Sequence, residues 1–199
     1  MEGEALRAEF LEERTQSQSA LLFPVLERLL DEAGLAMSDV SEIAVSAGPG
    51  SFTGLRIGAS SARALADARG IPLTPVPTLL ALAMAGPGQQ AGSVAMSRVR
   101  GEAFVQPFEW RDGIPRGVGG MTVRKYEEIM RLELPGLVCD ADAAAALEGL
   151  SGGARIQKVT PSARWVGVYA ARVGQGSPAR EFFPEYGPSP VYRKRGRPA

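Results

Sequence analysis

SAGPGSFTGLRIGASSARALADARG, residues 46–70, is the stretch that decides the fold. A short apolar run, residues 43–47, leads into it and reads as a buried strand. Gly48, Gly50 and Gly54 then fall within seven positions, and a run of small residues follows at helical spacing until Gly70 and Pro72 stop it. Strand, glycine turn and helix in that order make an α/β unit. The turn reads as Gly48 and Gly50 at positive φ on either side of Pro49, with Gly54 allowing close approach where a helix over residues 54–69 begins.

Such a turn can hold a phosphate, because glycines bring backbone N–H groups up to an anion at a helix N-terminus. The spacing argues otherwise. A P-loop needs a lysine after its second glycine, and here Gly54 is followed by Leu55 and Arg56. The dinucleotide fingerprint needs glycine at position 53, which is threonine. The helix itself carries Gly54, Gly58 and Ala62 at i, i+4 and i+8, a face almost without side chains. Such a face admits a closely packed neighbour, either within the chain or on a partner protein.

Outward from this unit, Leu6, Ala8 and Phe10 alternate with Arg7 and Glu9 as in a half-buried strand. Leu22, Val25, Leu26, Leu29, Leu30 and Ala33 recur at helical spacing from about residue 19, with Gly34 as the stop and Pro24 expected in the first turn. Residues 72–77 read as a connection and 78–84 as a helix. The loose segment 86–92 marks a domain boundary, giving domains 1–88 and 89–199. Beyond it come a hairpin of strands over 94–97 and 102–108, a helix over 122–132, a strand over 136–140 and a helix over 141–150. A strand over 155–159 and a helix over 162–173 complete the pattern. Alternating strands and helices in both halves predict α/β in two lobes.

The totals narrow the chemistry. The chain has 199 residues, 22 basic and 22 acidic, so net charge supplies no pull toward nucleic acid or membrane. It contains no histidine, which removes the Ser-His-Asp triad, the Cys-His dyad and every His-ligated zinc site. The apolar stretch at residues 79–86 is too short to span a bilayer, and MEGEALRAEF lacks the basic and apolar regions of a signal peptide. The single cysteine, Cys139, fits a reducing, cytoplasmic setting and reads as a small buried hydrophobe. Trp110 and Trp165 read as core or rim residues. The acidic groups Glu12-Glu13, Glu127-Glu128 and Asp140-Asp142 read as solvated pairs rather than metal ligands.

AGPGSFTGLRIG at residues 47–58 resembles the signature of the bacterial TsaB family, formerly YeaZ, with the turn Gly48, Pro49, Gly50, Ser51, Phe52 and Thr53 at its centre. SALLFPVLERLLDEAG resembles that family's first helix, residues 75–82 its continuation, 98–104 an altered form of a strand pair in its second lobe, and 190–193 its closing motif. The resemblance implies a two-lobed, actin-like and ribonuclease-H-like fold, an ASKHA fold without metal or nucleotide chemistry, so that no cofactor is expected. It implies a non-catalytic scaffold for the catalytic TsaD subunit, acting with the ATPase TsaE to form threonylcarbamoyladenosine beside the tRNA anticodon. Contact with TsaD would use the two first-lobe helices, here through Leu22, Val25, Leu26, Leu29, Gly54, Leu55, Gly58 and Ala62, and the same face would form a homodimer when TsaD is absent.

Family members open with a buried strand and an Asp-Thr-Ser turn, whereas Gly3-Glu4-Ala5-Leu6 matches the end of that hairpin. The first strands of the N-terminal lobe are therefore expected to be missing. The basic residues Arg193, Lys194 and Arg195 could meet tRNA phosphates or simply keep the end of the chain soluble. The rival readings are an enzyme of the same fold, either a phosphotransferase or a peptidase, and a truncated inactive relic.

Overall fold

The computed structural model describes residues 1, 3–12, 18–86, 88, 91–98, 101–132, 134, 136–150, 155–174, 176–178 and 182. Two sheets organise them. The smaller is a parallel pair, β1 (Ile43–Gly48) and β2 (Leu73–Pro77), joined through α2 (Phe52–Arg69). The larger has six strands: β5 (Ile114–Gly117), β4 (Glu102–Arg111), β3 (Ala91–Ser97), β7 (Leu137–Cys139) and β8 (Ile156–Lys158) in that order, with β6 (Thr122–Lys125) also on β4. β3 and β4 form the antiparallel hairpin that the sequence predicts, and β3, β7 and β8 run parallel.

Period-two alternation assigns the faces of the large sheet. Val94, Met96, Phe104, Phe108 and Val138 point to one side, where α3 (Thr78–Met84) and α6 (Ala163–Val173) cover them. Ala95, Ala103, Val105, Leu137 and Cys139 point to the other, beneath α4 (Tyr126–Ile129) and α5 (Ala141–Glu148). Both faces are therefore dry, which is why β7 is buried at every residue. Every residue from Leu79 to Met84 is buried, because α3 packs against both sheets and α6.

Four expectations need correction. Residues 6–10 do not form a strand: the segment lies against α6, with Glu4 paired to Arg172 and Glu9 accepting from Ser162, while Leu6 stays exposed. Residues 72–77 contain a strand despite Pro75 and Pro77. The Leu73 N–H points away from β1, toward Ser177, and residues 75 and 77 share its parity, so neither missing N–H removes a bond to β1. Residues 122–125 are a strand on β4 rather than the start of a helix, since β-branched Thr122 and Val123 fit the pleat, and α4 is one turn long. Pro24 stands inside α1 (Gln18–Ala33), not in the first turn.

The remaining expected elements are present within a few residues of their expected ends. Trp110 and Trp165 pack half-buried against the large core, and Cys139 is fully buried, its thiol pushed up to about 12 by burial. Residues 190–195 lie outside the described residues, and so does Glu13.

Candidate partner-binding face and adjoining cleft

The glycine turn is fixed from both sides. Gly48 takes φ 110° and donates its N–H to Thr78 Oγ1 at 3.2 Å, tying the end of β1 to the start of α3. Gly50 has an ordinary backbone, so only one of the two glycines flanking Pro49 sits at positive φ. Ser51 caps α2 by accepting the Gly54 N–H at 3.3 Å, which starts the helix two residues before Gly54 and places that glycine within its first turn. Gly70 closes α2 at φ 63°, the left-handed stop that the sequence announces.

The small residues of α2 serve the chain's own sheet. Leu55, Ala59, Ala62 and Ala66, at i, i+4, i+7 and i+11, are buried, the alanines against Leu73 and the residues around it. A Cβ at Gly58 would touch Val45 of β1 at 3.8 Å. This corrects the assignment of Leu55 and Ala62 to a partner-facing groove: alanine lets the helix lie close on a two-stranded sheet, and that contact is already made. The residues of α2 left outside are of another kind, including Phe52, 58% exposed with Arg56 over its ring at 5.4 Å, and Ser60.

α1 behaves differently. None of its residues 19–33 is buried. Leu22, Val25 and Leu29 share one strip and are half-buried, and Leu22 and Val25 line a cleft. Leu26 and Leu30 lie on the neighbouring strip with Phe23, and Phe23 and Leu21 are exposed at 48% and 41%. Leu21 and Phe23 escaped the sequence reading, although Phe23 stands at i−3 and i−7 from Leu26 and Leu30.

The cleft holds about 540 Å³ between α1, β1, α3 and α6. Its walls are apolar, with Leu22, Val25, Leu82, Met96 and Val166 among them, and its polar contributions are hydroxyls of Ser46, Thr78 and Ser162. Glu12 is the charged residue among its described lining. Among the described lining residues, a nucleoside triphosphate would meet a carboxylate, hydroxyls and hydrocarbon there. Among the described residues, no three Asp, Glu, His or Cys side chains gather as metal ligands. Asp140 accepts N–H bonds from Ser97 at 3.0–3.1 Å and from Ala143 at 2.9 Å, so it caps α5 and ties it to β3; burial raises its pKa against the pull of those bonds. Glu127 and Glu128 sit in the first turn of α4, with Glu128 accepting from the Lys125 N–H.

The family model described as "TsaD: tRNA N6-adenosine threonylcarbamoyltransferase" matches residues 12–168. The chain is similar to the tRNA threonylcarbamoyladenosine biosynthesis protein TsaB of Haemophilus influenzae, 37% identical over 83 residues, which are 42% of this chain and 34% of that protein. It is 32% identical over 108 residues to the protein of the same name from Bacillus subtilis, 54% of this chain and 47% of the relative. The matched stretches thus span about a third to a half of these curated relatives. A solved structure from Pseudomonas aeruginosa, described as an uncharacterized protein with similarity to peptidase YEAZ, superposes with a TM-score of 0.74. The pair are 25% identical, and 88% of this chain and 86% of the other are covered. The two-sheet α/β architecture is an actin-like fold. No helix among the described residues is long and apolar enough to cross a membrane.

Proposed function

Because the chain belongs to the TsaD family of tRNA N6-adenosine threonylcarbamoyltransferases, in its TsaB/YeaZ branch, we propose that it is a non-catalytic scaffold subunit in the formation of threonylcarbamoyladenosine in tRNA. It binds a catalytic TsaD subunit, with TsaE joining the assembly, in the cytoplasm, and pairs with a second copy of itself when TsaD is absent. The observation that carries this reading is α1. Sixteen residues rich in leucine bury none of the described side chains, and Leu21 and Phe23 stand exposed where a soluble monomer gains nothing from them. Phe52 of the signature turn adds a third large exposed apolar side chain from the same small-sheet half.

The non-catalytic part rests on the cleft. The enzyme reading needs an anion loop or a charged phosphate clamp, and the described lining of the cleft is apolar apart from Glu12 and a few hydroxyls. The hydroxyls there have structural partners: Thr78 Oγ1 accepts the Gly48 N–H, and Ser162 caps α6 while donating to Glu9.

The test is co-purification with the TsaD of the same host, alongside ATP hydrolysis by each component. The expected outcome is a stable complex in which the isolated chain turns over no ATP. A pure chain that hydrolysed ATP, or that left TsaD unbound at micromolar concentrations of both, would overturn the reading.

A further inference from the structure

After α6, Ser177 and Phe182 lie against the small-sheet half. Gly174 ends α6 at φ 71° and turns the chain away. Ser177 then meets Leu73 as an antiparallel pair, each donating its N–H to the other's carbonyl at 3.0 Å. This bridge covers the edge of β2 that faces away from β1. Gly176 lies so close that a Cβ would come within 2.7 Å of the Leu73 carbonyl and of Thr74 Oγ1, so no other residue fits without moving β2. Phe182, 3% exposed, enters the core between α2 and the small sheet, against Ala59, Ala62, Ala66 and Leu73.

These contacts answer a packing problem. A two-stranded sheet is marginal alone, and three alanines on the inner face of α2 cannot fill the space above it. A phenylalanine ring supplied from the far end of the chain does. The helix before it has a further anchor: Val166, Val168 and Tyr169 belong to the large core, and Arg172 donates to the Gly113 carbonyl at 2.7 Å, while α6 also touches β1 and β2.

We propose that Gly176, Ser177 and Phe182 together latch α2 and β2 in place, so that losing their contacts loosens α2 while the large-sheet half stays folded. The latch acts on α2 whatever α2 binds. It makes the order of the small-sheet half depend on residues more than a hundred positions downstream in the sequence.

Hydrogen exchange on the whole chain tests this with Phe182→Ala and the milder Phe182→Leu. The expected result is a loss of protection on the order of ten-fold or more in residues 52–77 of Phe182→Ala, with residues 91–111 and 137–148 changed by less than about two-fold. Phe182→Leu should show the same localisation at smaller amplitude. Unchanged exchange in α2 would overturn the proposal. Loss spread equally over both halves, including outright failure of both variants to fold, would also overturn it, because Phe182 would then be a general core residue rather than a local latch.

Discussion

Helix α1 runs for sixteen residues without burying one of those described, while α5, half that length, buries three. The two sit in different halves of the molecule. α5 closes one face of a six-stranded sheet and is capped by Asp140, so Ala143, Ala144 and Leu147 go into the core. α1 lies beside a two-stranded sheet and an open cleft, and its larger apolar side chains remain partly in water. The large-sheet half covers both faces of its sheet, although side chains such as Val118, Leu132 and Leu150 stay exposed. In the small-sheet half a whole helix carries its apolar side chains without burying a described one, and the partner-binding proposal draws on that difference.

The comparison breaks most visibly at Ala62. If α2 uses its small face internally, Ala62→Arg drives a cation into a site 6% exposed and should cost about 3–5 kcal/mol, seen as a lost or strongly lowered melt of the small-sheet half. A normal melt for that variant would return Ala62 to a partner-facing groove. The second test sharpens the other side. Asp140→Ala removes the α5 cap and a partner of the Ser97 N–H and should lower stability by about 1–3 kcal/mol.

Because burial raises the Asp140 pKa, the native state keeps a proton that the unfolded chain has already lost over the window just above the ordinary carboxylate range. Stability should therefore fall as pH rises through that window, and Asp140→Asn should remove this slope. Titration of the melt for both proteins checks the sign.

A smaller effect is expected at the N-terminal segment. The Arg172 guanidinium beside Glu4, bonded at 2.8–2.9 Å, holds that carboxyl below its usual range. The attraction is complete above the ordinary carboxylate range and is lost as pH falls through the lowered value. Acidification should speed proteolysis within residues 3–10 before it affects α5. Simultaneous loss of both would contradict the weaker attachment assigned to that segment.

What the sequence made legible follows from the same contrast. Gly70 and the i, i+4, i+7 pattern of α2 were readable because they reflect local backbone geometry and burial on one face. The destination of that face was not, since periodicity marks which residues avoid water and not what covers them. β2 was hidden by Pro75 and Pro77, whose cost vanishes only once Leu73 is seen to direct its N–H away from β1. Residues 6–10 alternate like a strand, but pairing needs a neighbour that alternation cannot supply. Phe182 gave no signal at all, because its contacts with Ala59 and Ala66 close a loop of more than a hundred residues.

The central claim is that α1 carries the surface a TsaD partner covers, and affinity for the host's TsaD tests it most directly, with Phe23→Asp set against Val118→Asp. Both side chains are 48% exposed, one on α1 and the other just after β5 in the large-sheet half. The account predicts that Phe23→Asp keeps its melt and loses at least about ten-fold in affinity, roughly 1.4 kcal/mol, while Val118→Asp binds as the unaltered chain does. Undiminished binding by Phe23→Asp, or an equal loss in both variants, would contradict it.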